Sequence, residues 1–222
     1  MAGAFVQASA GVYNGFGGDA VDSLSGVASG NAFIAICIAT ADPTAIATSN
    51  FSGSGAFTKQ VAGSALGGGL LLSIWDYYSA LSGSHTITAT AVAGSGVQMI
   101  VLEVSGIASY TGASTLAQGV SNAPTANSLT PVSGSWNLGV SYNSTAQTYS
   151  GWSPGTEIFD YAAWRGLAGS EYTAPSTSGI VTSASLGASE FWYAQTYSFA
   201  VSGGGGSNIA AIAQHYKKMR TI

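Results

Sequence analysis

Charged side chains are scarce in this chain. Lysine, arginine, aspartate and glutamate together make up 6% of its 222 residues, against about 25% in typical soluble domains. Hydrophobic residues make up 46% and aromatic residues 11%, so the composition excludes a disordered chain. The remaining surface would be neutral and rich in hydroxyl groups, which suits an extracellular or assembled particle better than a crowded cytosol.

Basic residues are the rarest of the charged types. Only Lys59 and Arg165 precede a cluster of three near the C-terminus, and they oppose nine carboxylates. No basic patch could follow a nucleic-acid backbone, so we expect no nucleic-acid partner. The terminal cluster is either a contact for an acidic partner or a solvated end of the chain; it consists of Lys217, Lys218 and Arg220.

Cysteine and long apolar runs are also missing. Cys37 is the single cysteine, which excludes an internal disulfide and a cysteine metal cluster. The longest apolar stretches, at 32–39 and 97–104, are too short to span a membrane as a helix. The N-terminus lacks the basic and apolar segments of a secretory signal, so we expect neither a signal peptide nor a membrane partner.

Catalytic patterns are poor. His85 and His215 both lie in strand-like sequence, and no G-x-S-x-G elbow is present, so a serine hydrolase triad is not indicated. Glu103 could form a glycosidase pair with another carboxylate, but no spacing supports this. A glutamate within a core strand more often accepts hydrogen bonds from backbone N–H groups or hydroxyls. We therefore expect a protein that is not an enzyme.

Cofactor and metal patterns are weak as well. The glycine-rich segments at 63–69 and 202–207 are not followed by Lys-Ser/Thr and a helix, so they indicate turns and not phosphate loops. Asp19, Asp22 and Asp42 form no D-x-D-x-D-G calcium loop. The sequence thus predicts no cofactor and no metal site.

Strand patterns recur along the whole chain. Thr86, Thr88 and Thr90 alternate with small apolar residues, and a nearly continuous apolar run follows at 97–104. We predict that these two segments form a hairpin, with one half-exposed strand and one strand buried on both faces. Further strands are predicted at 33–40, 57–61, 70–78, 135–142, 157–167 and 191–201.

The pattern indicates no helix outside the segment 208–220. Residues 108–131 are rich in Ala, Ser, Thr, Asn and Pro and are interpreted as a long connection between sheets. The segment 208–220 fits a return strand or a short helix. The fold class is all-β, an antiparallel β-sandwich or jelly roll, with an N-terminal arm at 1–19 and a single domain at 20–222.

Several segments resemble a known group of domains. The strand opening at 29–33, the aromatic strand IWDYY, the hairpin GSHTITATAV, the strand IVLEVSGI and the closing AAIAQHY are similar to jelly-roll domains of phages and bacteria. These domains resemble carbohydrate-binding or concanavalin-like sandwiches. The resemblance covers roughly residues 20–216 and implies the fold; a bound calcium ion would follow by analogy with jelly rolls only. One fold hosts many functions, including adhesion, decoration and plain structure.

Aromatic residues in the second half are candidates for ligand contact. Tyr142, Tyr149 and Trp152 stand beside amide and hydroxyl donors, an arrangement that suits stacking on a glycan. Two alternatives remain open for these rings. They either pack in the core or contact a neighbouring subunit.

The resemblance and the uncharged composition together favour a phage virion structural protein on the outer surface of the particle. The first expectation is a capsid decoration (cement) protein that stabilises the head as a symmetric homo-oligomer such as a trimer. Its expected partners are the major capsid protein or tail subunits, contacted through Phe5, Tyr13 and Phe16 of the arm and the basic C-terminal cluster. The alternative is a tail-attached or adhesion module that binds host surface glycans.

Overall fold

The computed structural model describes residues 3–50, 53–66, 69–174 and 178–202. Within them the chain forms eighteen strands and no α-helix, and every pairing between the strands is antiparallel. This confirms the all-β antiparallel sandwich. The segment 208–220 and the basic cluster Lys217, Lys218 and Arg220 lie outside the described residues.

The first half of the chain forms two sheets. The strands in order are β1 (Ala4–Ala8), β2 (Val12–Asn14), β3 (Ala20–Val27), β4 (Ala32–Ala39), β5 (Ala45–Asn50), β6 (Gly53–Ala56), β7 (Thr58–Leu66), β8 (Leu70–Tyr77), β9 (Gly83–Thr90) and β10 (Val97–Ser105). An outer N-sheet has the order β3-β9-β5-β6. An inner N-sheet has the order β1-β10-β4-β8-β7, with β2 also paired to β10.

The second half forms one further sheet and a ribbon. Its strands are β11 (Ile107–Ala113), β12 (Ala117–Ser121), β13 (Trp136–Asn143), β14 (Tyr149–Ser153), β15 (Thr156–Ala162), β16 (Gly166–Thr173), β17 (Ser183–Leu186) and β18 (Glu190–Val201). The inner C-sheet has the order β11-β18-β13-β16-β15, with β12 also paired to β18. The outer C-ribbon pairs β14 with β17.

These elements stack as four β layers. One apolar cluster joins alternate residues of β4, such as Ile34 and Ile36, to Leu138 of β13 and Tyr197 of β18, so the two inner sheets pack face to face. A second cluster fills the space between the inner and outer N-sheets, and a third lies between the inner C-sheet and the outer C-ribbon. Strands β4, β10 and β13 are therefore buried on both faces, and for β4 and β10 this agrees with their long apolar runs.

The predicted hairpin between the segments 83–90 and 97–104 is wrong, although both strands exist. Strand β9 alternates between exposed and buried residues as predicted, and β10 is buried on both faces. However, β9 pairs with β3 and β5 in the outer sheet, while β10 pairs with β1, β2 and β4 in the inner sheet. The turn at 91–96 thus carries the chain between layers, because β9 has one polar face for solvent and β10 has none.

Three other sequence predictions need correction. Residues 108–131 are not a long connection, since β11 and β12 pair with β18 along an edge of the inner C-sheet. The segment 63–69 is not a turn throughout, because β7 continues to Leu66, which pairs with Leu70. The strand predicted at 157–167 is two strands, β15 and β16, with a bend at 163–165. In these cases local composition was a poor guide, because polar or glycine-rich sequence can pair in a strand and a strand-like sequence can contain a bend.

The predicted N-terminal arm is part of the sheet structure. Strands β1 and β2 pair with opposite ends of β10. Phe5 packs against the core between the inner sheets, and its backbone N–H donates to Glu171 at 2.8 Å. The arm therefore lies along the edge where the two inner sheets meet.

Candidate functional site

A cleft lies at one end of the seam between the two inner sheets. It has a volume of about 550 Å³ and opens to solvent. Strands β4 and β13 end near it, and β8, β16 and β18 begin near it. Its lining combines aromatic rings with a few polar groups: Phe16, Thr40, Leu70, Tyr142, Ser144, Trp164, Arg165 and Phe191. Apolar clefts with a few convergent polar groups are the usual form of a ligand site.

The bend between β15 and β16 supplies the two most distinctive side chains of the cleft. Trp164 stacks on Tyr13 of β2, with ring centroids 4.8 Å apart and an interplanar angle of 15°. The Arg165 guanidinium lies 5.2 Å from the centroid of the Trp164 ring, within the range of a cation–π contact. The N-terminal strand β2 and the bend thus hold each other at the rim of the cleft.

Gln98 fixes the backbone of this bend from the opposite sheet. Its amide N–H donates to the carbonyl of Arg165 at 3.0 Å, and its amide oxygen accepts the backbone N–H of Arg165 at 3.0 Å. Gln98 is fully buried within β10. A buried amide with both ends satisfied is a rigid support, because each bond would be costly to leave unmade.

The charge of Arg165 is not neutralised by a nearby acid. Its Nη1 donates to the carbonyl of Ser144, and its Nε is buried without a hydrogen-bond partner. Among the described residues no carboxylate lies within 4.0 Å of it, whereas Lys59 forms an ion pair with Asp42 at 3.3 Å. Of the two cations in the described part of the chain, one is therefore paired and the other faces the cleft.

The phenol of Tyr142 lies at the base of the cleft, and the carboxylate of Glu190 lies on its rim. Burial raises the pKa of Tyr142 to about 12, and the neighbouring charge of Arg165 opposes this only in part. On the rim, hydrogen bonds from the Ser144 and Thr145 hydroxyls and from the backbone N–H of Phe191 lower the pKa of Glu190. Tyr142 therefore stays neutral and Glu190 stays ionised at neutral pH, with the Glu190 oxygens already engaged.

The arm residues predicted as partner contacts have different environments. Phe5 and Tyr13 have intramolecular partners, as described above, so neither needs another protein to cover it. Phe16 differs, because its side chain is 69% exposed at the mouth of the cleft. Of the three predicted arm residues, Phe16 thus lines the cleft and Tyr13 stacks on Trp164 of its lining.

Two of the three residues predicted to contact a glycan are buried. Tyr142 is 2% exposed and Tyr149 is 5% exposed, since both pack within apolar clusters. Neither presents a free ring face, so for these two the core alternative applies. Trp152 is half-buried on the outer C-ribbon, and its ring centroid lies 5.9 Å from that of Tyr149. Its Nε1–H donates to the Glu157 carboxylate at 3.0 Å.

Sequence reasoning did not identify Trp164, Arg165 and Phe191 as a group. Trp164 was placed within a predicted strand, and Phe191 within another one. One signal was available, because Arg165 is one of only two basic residues before the C-terminal cluster and directly follows a tryptophan. Their proximity, however, depends on the packing of one sheet on another.

Glu103 and His85 make structural hydrogen bonds, and His215 lies outside the described residues. Glu103 accepts hydrogen bonds from the Gln7 and Asn31 side chains and from the Ala28 backbone N–H. His85 is buried, with Nε2 donating to the Leu81 carbonyl and Nδ1 bonded to the Thr48 hydroxyl. Both side chains hold loops and strands in place, and neither lines the cleft.

The described part of the chain carries neither a metal-binding cluster nor a membrane-spanning helix. Within the described ranges, no group of three or more His, Cys, Asp or Glu residues is arranged to hold a metal ion. The same ranges contain no helix that is long and apolar enough to cross a membrane. No protein-family model matches the chain, and no curated protein sequence matches it significantly.

Proposed function

We propose that this protein is a non-enzymatic component of a phage virion surface that binds host surface glycans through the cleft at the seam of its inner sheets. The observation that carries the glycan part is the lining of the cleft, in which exposed or half-buried rings stand beside hydroxyl and guanidinium donors. Aromatic faces pack against the apolar face of a sugar ring, and the polar groups fix its hydroxyls.

The virion part of the proposal rests on composition and on the resemblance to phage jelly-roll domains. An almost uncharged surface suits a protein that functions outside a crowded cytosol. Stacking of four β layers buries both faces of the inner sheets. Such a fold suits a protein that must survive outside a cell.

The experiment is a glycan-array screen of the full chain and two variants. Phe16→Ala removes a ring that is 69% exposed at the mouth of the cleft, so it should weaken binding without unfolding the protein. Trp152→Ala is the matched control, since Trp152 lies on the outer C-ribbon, away from the cleft. Retained binding in Phe16→Ala together with lost binding in Trp152→Ala would refute the cleft as the site.

A second candidate is the decoration role, which one further observation favours. Val120 is 69% exposed on β12, at an edge of the inner C-sheet. Exposed apolar residues on an edge strand favour pairing with another chain. Light scattering of the purified chain tests this candidate: a closed oligomer that Val120→Lys dissociates supports decoration, while a monomer at micromolar concentration supports the adhesion role.

A further inference from the structure

We infer that the cleft selects an acidic saccharide, one whose sugar ring bears a carboxylate, and that Arg165 is the residue that recognises it. This inference rests on the proposed glycan-binding function and names the ligand class of the same site. It is carried by the position and surroundings of one side chain.

Positive charge is rare in this protein. The described part of the chain holds two basic side chains against nine carboxylates. Lys59 is paired with Asp42 on the surface. The remaining cation, Arg165, is half-buried in the cleft and has no carboxylate within 4.0 Å among the described residues. Removing a guanidinium from water without an acid costs free energy that an anionic ligand would recover.

The guanidinium of Arg165 uses only part of its hydrogen-bonding capacity within the protein. One donor, on Nη1, is used by the Ser144 carbonyl, and Nε has no solvent access. The remaining N–H groups, on Nη1 and Nη2, have no hydrogen-bond acceptor among the described residues. A planar fork of donors matches a carboxylate in a bidentate arrangement.

Arg165 is held in position before a ligand binds. The Gln98 amide holds the backbone of Arg165 at both its N–H and its C=O, and the Trp164 ring lies beside the guanidinium. A side chain that is already positioned loses little conformational entropy when it binds. Arg165 is also half-buried, which strengthens an ion pair relative to one on an open surface.

Glu190, the acid on the rim, weakens the attraction of the cleft for anions. Glu190 is ionised and lies next to Ser144, so the cleft is not a general site for polyanions. The chain as a whole carries a net charge of −4. Binding should therefore depend on one directed contact and change little with salt, in contrast to binding by a basic patch.

The test uses an array of matched pairs in which only the charge differs. One set pairs oligogalacturonates with their methyl esters, and the other pairs sialylated glycans with the same glycans carrying the sialic acid methyl ester. The full chain should bind the acidic member of at least one pair about tenfold more tightly than the neutral member, the effect of one charge-assisted contact. Arg165→Met should bind both members of that pair equally, while Lys59→Met should keep the preference.

Each other outcome overturns a defined part of the argument. Equal binding of acidic and neutral members by the unaltered chain, lost in Phe16→Ala, would refute the acidic preference and leave the glycan-binding function standing. An acidic preference that persists in Arg165→Met would assign recognition to another residue. Binding of no glycan on the array would refute both the function and the inference. Thermal melting of each variant would show that the fold is retained.

Discussion

The buried amide of Gln98 pairs with the backbone of Arg165 through both of its ends, at 3.0 Å each. This pair links β10 of the inner N-sheet to the bend that precedes β16 of the inner C-sheet. These two hydrogen bonds connect the two packed sheets, as backbone hydrogen bonds connect neighbouring strands within one sheet. A polar residue within an otherwise apolar run thus positions the cleft.

Gln98→Met should destabilise the protein by about 1–3 kcal/mol, because it leaves the N–H and the C=O of Arg165 without partners in a buried site. Urea unfolding followed by tryptophan fluorescence measures this change. Gln118→Met is the control, since Gln118 is exposed on β12. Equal losses in the two variants would show that the bonds of Gln98 contribute nothing specific.

Glu103→Gln should be strongly destabilising. Both oxygens of Glu103 accept bonds: Oε1 from the Ala28 N–H and the Asn31 amide, and Oε2 from the Gln7 amide. A glutamine places an NH₂ group against at least one of these donors, whichever way it is flipped. We expect a loss of about 1–3 kcal/mol in the free energy of unfolding, measured by chemical denaturation.

Glu171→Gln is the matched comparison for this prediction. Glu171 accepts the Phe5 backbone N–H and the Trp136 Nε1–H, both at 2.8 Å and both on the same oxygen, Oε2. The carbonyl oxygen of a glutamine can take that place, so this variant should lose less stability than Glu103→Gln. The reverse order would contradict the hydrogen-bond assignment.

Asp76 should make the protein less stable as the pH rises. Burial raises the pKa of Asp76 above its ordinary value of 3.8, and hydrogen bonds from Gln60 and Tyr78 oppose the rise only in part. The folded state therefore binds this proton more tightly than the unfolded state, so stability falls as the pH rises from about 3.8 through the raised pKa. Asp76→Asn should remove this component from the pH profile of unfolding.

Glu190 should make the protein less stable as the pH falls, the opposite of the effect of Asp76. Its pKa is lowered below 4.5 by hydrogen bonds from Ser144, Thr145 and Phe191. The stability that it adds is present above pH 4.5 and is lost as the pH falls through the lowered pKa. In Glu190→Gln this acid-side loss should disappear. Profiles of the same sign for the Asp76 and Glu190 variants would contradict one of the two assignments.

Gly169→Ala should destabilise the inner C-sheet by about 1–3 kcal/mol through overpacking. A Cβ on Gly169 would collide with the Phe159 ring and lie 2.9 Å from the Gly139 carbonyl oxygen. Gly15→Ala is the control, because nothing lies within 4 Å of a Cβ at that position. Thermal unfolding of the two variants measures the difference, and equal melting temperatures would show that the sheet can move apart without cost.

Prediction from the sequence succeeded for individual strands and failed for their partners. The apolar run of β10 predicted its burial on both faces correctly, and the strand predicted at 191–201 corresponds to β18. The pairing of β9 with β10 was predicted wrongly, since adjacency in the chain was taken as adjacency in a sheet. Tyr142 and Tyr149 show the same limit, because a ring next to polar residues in sequence can still point into the core.

The sequence by itself determined the all-β class and the strands that must be covered on both faces, because the period of two and the length of an apolar run are local properties. Only the tertiary structure decided that the layers number four, that β1 and β2 lie along β10, and that Trp164, Arg165, Phe16 and Phe191 share one cleft. These features depend on contacts between residues far apart in the chain. Their geometry is set by the packing of whole sheets, which no local pattern encodes.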